Sequence, residues 1–488
     1  AFINVASLAV GLAGALFIWL WVQDEFSFDR FHANAPALFR VEQDQIGGQG
    51  TFHVFVTQYP MGPAIQGAIP EIKRSVRYAR TSGLLVRCGE KAFFEDDVRA
   101  VDPSFLETFT FPLVRGDRTA ALSNPTSIVL TEEMAVKYFG AEDPVGKTLV
   151  VNNVHSLAVT GVARNVPANS TVTFDMLVPF EFLRTLGTDI GRWGSNSIIT
   201  FVELKDPAAA AAVGEKITGF LTDLFYDSVR DDPEALARAR NVRLPRYMLM
   251  PLTDIRLKAV FGFGQSTGTL QSVRSFSLIA LLVLLIACIN FMNLATAQSA
   301  KRAREVGLRK VSGATRKQLV FQFLGESFLM SILAGLIAIV LAELSFPLFD
   351  RLTGLDLNFH DYRLPILGMM LLLILVVGLL AGIYPSFILS SFKPVEAVKG
   401  DLFRGHARSV ARNLLVLAQF SVSILLIIST LLIFKQMSFI RSKDLGYRTE
   451  DIVILPLRGD ETGKAANALK NEFLSMPEVQ SVSLTDGI

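Results

Sequence analysis

The chain has 488 residues, 51% of them hydrophobic and gathered into a few long blocks, which excludes an ordinary soluble multidomain protein. Its formal net charge of +2 is too near neutral for a nucleic-acid binder. The two cysteines, Cys88 and Cys288, lie far apart and one sits inside an apolar block, which excludes a disulfide framework and a cysteine zinc site; Cys88 reads as a structural thiol.

In chain order, the first apolar block is Phe2–Val22. It lacks the basic leader and the small-residue cleavage site of a signal peptide. As a helix it reaches about 31 Å, the thickness of a bilayer core. It reads as a first transmembrane helix whose cytoplasmic leader is missing. Residues 24–272 have globular composition and read as a mixed α/β domain inserted between the first and second membrane helices. Leu38–Asp44 alternates like a strand, and Ser127–Leu130 is a short apolar run. Thr131 is placed to cap a helix through Ala135 and Tyr138, with Gly140 just past its end. Thr148–Val151 and Leu157–Val162 are β-rich and joined by the turn-prone pair Asn152-Asn153.

The same domain contains decoys. Gly140–Thr148, GAEDPVGKT, nearly spells a phosphate-binding loop, but five residues separate its first glycine from Gly-Lys-Thr instead of four, and it leads into a strand. It is read as a turn. The five histidines (His32, His53, His155, His360, His406) show no metal-ligand spacing. Asn169-Ser170-Thr171 matches a glycosylation acceptor, a pattern common by chance. No catalytic constellation and no metal or cofactor site is read anywhere on the chain, so an enzyme is not expected.

Four further apolar blocks follow: Phe276–Ala297, Leu319–Leu344, Pro365–Leu389 and Leu414–Phe434. The connection Lys301–Gln318 holds seven Lys/Arg against the single acid Glu305. The next, Ser345–Leu364, has two basic residues against three acids, and Ser390–Arg412 returns to five against two. This alternation puts the first and third of these connections in the cytoplasm, the N-terminus inside, and the large domain and the segment after Phe434 outside. Small residues recur every four positions in Ser7/Gly11/Ala15, Ala334/Ala338/Ala342 and Gly378/Gly382, as in closely packed membrane helices. Glu326 and Glu343, near opposite ends of the third block, can reach headgroups and are assigned a structural role.

The basic connection is the patterned one. Thr315 and Gln318 have capping-box spacing, so a helix starts at Thr315. Gly313 suits the break before it, which leaves Ala303–Val311 as a short surface helix with Glu305 and Arg309 on one face as an ion pair. The bland alternative is that these charges only hold the loop inside. Glu305-Val306-Gly307-Leu308-Arg309-Lys310 with Ser312-Gly313-Ala314, followed by Gln322–Ser327 and by Lys393-Pro394-Val395-Glu396-Ala397, resembles the cytoplasmic signature of FtsX-like permeases of ABC transporters. Tyr138–Leu149 and Asn165–Pro179 resemble the periplasmic core domain of MacB-like permeases. The opening Gln23–Arg30 with Phe39-Arg40-Val41 is similar to the long two-repeat members, and Met476–Val482 echoes Ile69–Val76 as the start of a second repeat cut short.

The resemblance implies an α-helical polytopic membrane protein with a large extracytoplasmic mixed α/β domain. Its parts are a transmembrane helix (1–23), a MacB-like core domain (24–272), and FtsX-like helices (273–390) with a coupling loop at 298–318. A cytoplasmic linker (391–412), a fifth helix (413–436) and the truncated start of a second outer domain (437–488) follow. It implies a bacterial inner-membrane location and ATP-Mg bound by a partner, the cytoplasmic ABC ATPase, not by this chain. Glu305, Val306, Gly307, Leu308, Arg309, Lys310, Gly313 and Ala314 would couple to that ATPase, and Pro394, Val395, Glu396 and Ala397 would form a second cytoplasmic motif. Further partners would be membrane lipid and a periplasmic adaptor or second permease half, with no nucleic acid. The implied function is mechanotransmission for efflux or export of antimicrobial, peptide or lipoprotein-type substrates; the alternative is a membrane sensor of an extracellular peptide or envelope stress.

Overall fold

The computed structural model describes residues 2–48, 50–81, 83–262, 265–354, 363–390, 406–443, 452–457 and 465–485, with the side chains of 265, 296–304, 352, 363, 384, 385, 388, 389 and 406–412 also outside the description. The chain opens with α1 (Phe2–Ser27) and continues through an α/β domain whose main helices are α2 (Met61–Ala68), α3 (Glu132–Phe139) and α4 (Ala210–Ser228). It then returns to long apolar helices, α5 (Leu270–Val311), α6 (Arg316–Thr353), α7 (Arg363–Ser390) and α8 (His406–Ser442). Two compact units result: Ala1–Phe26 with Leu270–Asp451, and Ser27–Thr269 with Ile452–Ile488.

In the α/β unit one mixed sheet of fourteen strands runs through the domain. Its strands include β1 (Leu38–Gly47), β2 (Gly50–Val54), β3 (Ile72–Arg80), β4 (Leu84–Cys88), β5 (Lys91–Glu95), β6 (Val98–Val101), β7 (Ser127–Thr131), β8 (Thr148–Val151), β9 (His155–Ala163), β10 (Met176–Pro179), β11 (Asn196–Leu204) and β12 (Arg246–Pro251). The order is β12-β1-β11-β3-β6-β10-β7-β9-β8-β4-β5, with β2 on β1. β7 with β9 and β6 with β10 are parallel, and the other pairs are antiparallel. Local chemistry dictates the joints. Thr131 Oγ1 accepts the Met134 N–H at the start of α3, and Gly140 closes that helix at φ +64°. Asn152 and Asn153 both take positive φ (50° and 59°), the geometry of a tight turn between β8 and β9 whose twist suits a hairpin. Along β1, Phe39 and Val41 join α2 and α4 in one apolar cluster, so the alternate residues Arg40, Glu42 and Asp44 share the opposite face. Phe105, Phe109, Phe111 and Phe174 form a second cluster of stacked and edge-on rings.

Among the described residues of the helical unit five helices are long and apolar enough to cross a membrane, as the five blocks lead one to expect. The architecture, several apolar helices with a mixed α/β domain inserted between the first two, fits a polytopic membrane protein. Close approach rests on small residues. A Cβ on Gly11 would meet Ala287 Cβ at 2.8 Å, and Ala334, Ala338 and Ala342 are fully buried. Polar residues add links between helices: Asn290 donates to Ser7 Oγ (2.8 Å) and Asn293 to Gln419 Oε1 (3.2 Å).

One expectation is corrected. Ala303–Val311 is not a separate surface helix; it is the last part of α5, which runs unbroken for 42 residues. Gly307 does not interrupt it, since a single interior glycine costs only about 1 kcal/mol. The break comes where a left-handed residue is needed, at Gly313.

Candidate coupling site

The patterned segment is built as a helical hairpin tip. α5 ends in a Schellman arrangement: Gly313, at φ +96°, donates its N–H to the Lys310 carbonyl (3.1 Å), and Ala314 donates to the Arg309 carbonyl (2.9 Å). Two residues later α6 begins. Thr315 Oγ1 accepts the Gln318 N–H (3.4 Å) while Gln318 Oε1 accepts the Thr315 N–H (2.9 Å), the capping box the sequence predicts. The turn Ser312–Thr315 is thus held by hydrogen bonds at both ends.

Arg309 joins the two arms. Its guanidinium donates to Glu305 Oε1 (2.5 Å), one turn earlier in α5, and to Gln322 Oε1 (2.5 Å) in α6. Gln322 Nε2 donates in turn to Glu326 Oε1 (3.3 Å). Exposed pairs of this kind are each worth well under 1 kcal/mol, so the chain of contacts orients side chains more than it stabilises the hairpin. Val306 and Gly307 are buried, whereas Leu308 and Val311 are 65% and 71% exposed. The tip therefore presents apolar surface among charges.

Lys310 turns to a third helix. Its ammonium donates to the carbonyl of Ser390, the last described residue of α7, at 2.7 Å. Partial burial, with Arg316 beside it, holds Lys310 below an ordinary lysine. Arg316 also makes a long contact with Ser390 Oγ (3.5 Å) and lies 6.0 Å from the Phe387 ring. Sequence spacing gave no sign of this link, because it joins positions 80 residues apart. Lys393, Pro394, Val395, Glu396 and Ala397, the second motif, lie outside the described residues.

Elsewhere, the loop Gly140–Thr148 runs into β8. Lys147 pairs with Glu142 and lies 5.3 Å from the Phe139 ring. No helix N-terminus follows it, so the geometry that cradles phosphate is not formed there. Among the described residues no group of three or more His, Cys, Asp or Glu could hold a metal ion.

Residues 1–220 match the family model described as MacB-like periplasmic core domain, and residues 277–394 match FtsX-like permease C-terminal. An uncharacterized ABC transporter permease, YknZ of Bacillus subtilis, is 24% identical over 275 residues, covering 56% of this chain and 61% of that protein. The macrolide export ATP-binding/permease protein MacB of Bdellovibrio bacteriovorus is 24% identical over 274 residues, covering 56% and 38%. The chain thus spans less than two thirds of either relative. Among solved structures, a domain of a putative permease protein from Porphyromonas gingivalis has 20% identity and a TM-score of 0.39, covering 50% of this chain and 99% of that one. The periplasmic region of MacB from Actinobacillus actinomycetemcomitans has 16% identity and a TM-score of 0.32, covering 44% and 90%.

Proposed function

Because the chain carries both a MacB-like periplasmic core domain and an FtsX-like permease domain, and so belongs to the FtsX-like/MacB-like permeases, we propose that it is the permease subunit of an ABC transporter. In this reading a separate cytoplasmic ATPase hydrolyses ATP and docks on the tip of α5 and α6. The helices carry its movement across the membrane, and the α/β domain outside uses it for efflux or export. The observation that supports this best is the continuity of α5 from the span Leu270–Ala295 to Val311. The residues beyond the span add about 24 Å of helix, so a push at the tip is not lost in a flexible joint. Exposed Leu308 and Val311, flanked by Arg309 and Lys310, suit a partner that offers an apolar cleft with an acidic rim.

The test is a pair of variants in the complex reconstituted with its ATPase. Glu305→Lys removes an exposed ion pair worth about 0.3–0.5 kcal/mol, so abundance should hold. Gly307→Trp puts bulk at a buried position of the tip. Both should leave membrane insertion intact yet uncouple ATP hydrolysis from movement of the outer domain, read by spin-label distances within that domain. Normal insertion, normal ATPase binding and full movement in both variants would sink the reading.

A further inference from the structure

Across β1 and β2 lies a cluster that the coupling reading does not use. Arg40, Glu42 and Asp44 share one face of β1, and His53 stands opposite Asp44 on β2. The His53 ring is held at both ends: Nδ1 is 2.7 Å from Asp44 Oδ1, and Nε2 is 2.9 Å from Glu42 Oε2. Glu42 is fully buried, and its other oxygen accepts from the Arg40 guanidinium, with Nε at 2.9 Å. From β12, Arg246 stands across from Asp44 and is paired with Glu215, while Met248 and Met250 are opposite Glu42 and Arg40.

Proton counting constrains this arrangement. A neutral imidazole has one N–H, so with both carboxylates ionised one ring nitrogen would point a lone pair at a carboxylate oxygen. The geometry is satisfied only when the cluster holds one more proton, on the ring or on a carboxyl group. With that proton, Arg40, His53, Glu42 and Asp44 sum to zero; without it, a net negative charge is left against a carboxylate sealed from water, which is costly.

The backbone of His53 makes the proton count matter to the chain. Its N–H donates to the Gly262 carbonyl (2.7 Å) and its carbonyl accepts the Gly262 N–H (2.9 Å), a single bridge to the strand Val260–Phe261. That strand precedes α5 in the chain. Phe261 lies on Phe52 and Phe55, and the Arg40 guanidinium sits 4.7 Å over the Phe55 ring. Val260, Thr51, Met248 and Met250 line a cavity of about 410 Å³ beside Glu42, Asp44 and His53; Asp44 is the end of the cluster that solvent reaches, while Glu42 stays sealed.

We propose that the Arg40–Glu42–His53–Asp44 cluster is a proton-operated clasp that fastens the strand Val260–Phe261 to β2. Closing the clasp takes up a proton from solvent and leaves both ring nitrogens donating; opening it returns the proton to water. The sign follows by linkage: acid favours the closed clasp, and rising pH weakens it. No titratable side chain is contributed by Val260, Phe261 or Gly262, so the response comes from the cluster with Arg246 and Glu215 at its edge. The clasp stands or falls independently of ATPase coupling.

The test uses the full chain in lipid nanodiscs and hydrogen exchange at the His53 and Gly262 amides from about pH 5.5 to about pH 8.5, corrected for intrinsic exchange. Peptides from β7 serve as reference. In the wild type, protection at these two amides should fall at least about threefold relative to β7 as pH rises. Glu42→Gln and His53→Gln should each flatten that dependence, since neither cluster then needs the extra proton. Constant wild-type protection across the range overturns the clasp. So does a folded Glu42→Gln chain that keeps the wild-type pH curve. The wild-type profile decides even if a variant fails to fold.

Discussion

His32 shows what a single buried group contributes. It is 2% exposed, surrounded by the rings of Phe31, Phe109 and Phe111; its Nδ1 accepts the Thr110 N–H (3.0 Å), and Nε2 has no partner among the described residues. Burial lowers its pKa from 6.5 to about 4. The folded value lies below the unfolded one, so the stability this group permits is complete above about pH 6.5 and is lost as pH falls toward 4. Over that interval the loss is about 3 kcal/mol. Asp29 acts the other way: burial raises its pKa, against hydrogen bonds from Thr171, so acid relieves a cost. Comparing wild type with His32→Asn, whose side-chain oxygen can replace Nδ1 as acceptor, isolates the histidine. We expect the thermal midpoint of the α/β domain to drop on acidification in the wild type, and to drop less in the variant; parallel curves would refute the assignment. In the sequence His32 and His53 look alike, each a lone histidine without ligand spacing. Only strand register, which sets His53 opposite Asp44, and ring packing, which seals His32, tell them apart.

At the level of elements, the small-residue rows were legible, and they mark real contacts, but spacing alone did not rank them. Gly382 sits on such a row, and a Cβ there would meet Ser327 Cβ at 2.9 Å and Leu324 at 3.1 Å. Gly335, off any row, is as tight: its Cβ would lie 2.4 Å from the end of Ile374, a flexible partner that can move. Gly368, in the same helix as Gly382, has nothing within 4 Å. Overpacking a well-filled contact costs about 1–3 kcal/mol. Gly382→Val should therefore lower the thermal stability of the detergent-solubilised helical unit, while Gly368→Val, with open space and a better helix former than glycine, should leave it unchanged or slightly raised; equal losses would show that α6 and α7 do not meet as described. The capping box at Thr315 and the cap at Thr131 were readable because each is satisfied within four residues. The run of α5 past Ala303 was not, because the apolar block ends where the charges from Lys301 begin, while helix continuity does not depend on that change of composition. The Lys310–Ser390 link joins different helices and leaves no local trace.

For the whole molecule, the five spans and the inserted domain follow from hydropathy, yet sidedness is a matter of charge, on which helix geometry is silent. The basic connections at 301–318 and 390–412 alternate with the acidic one at 345–364. Each Lys or Arg moved to the wrong side of a bilayer works against the bias that sets orientation. With one span, that of α5, between them, Lys147 and Arg309 are expected on opposite faces of the membrane. In a chain with Cys88 and Cys288 replaced by serine and alanine, Lys147→Cys and Arg309→Cys should react with a membrane-impermeant thiol reagent from opposite faces of sealed vesicles. Both positions are accessible enough for the measurement, with side chains 38% and 43% exposed. Labelling of both from one face would require an even number of crossings between them. α5, the one span between them, would then fail to cross, and the proposed path of force from the hairpin tip to the outer domain would have no membrane to cross.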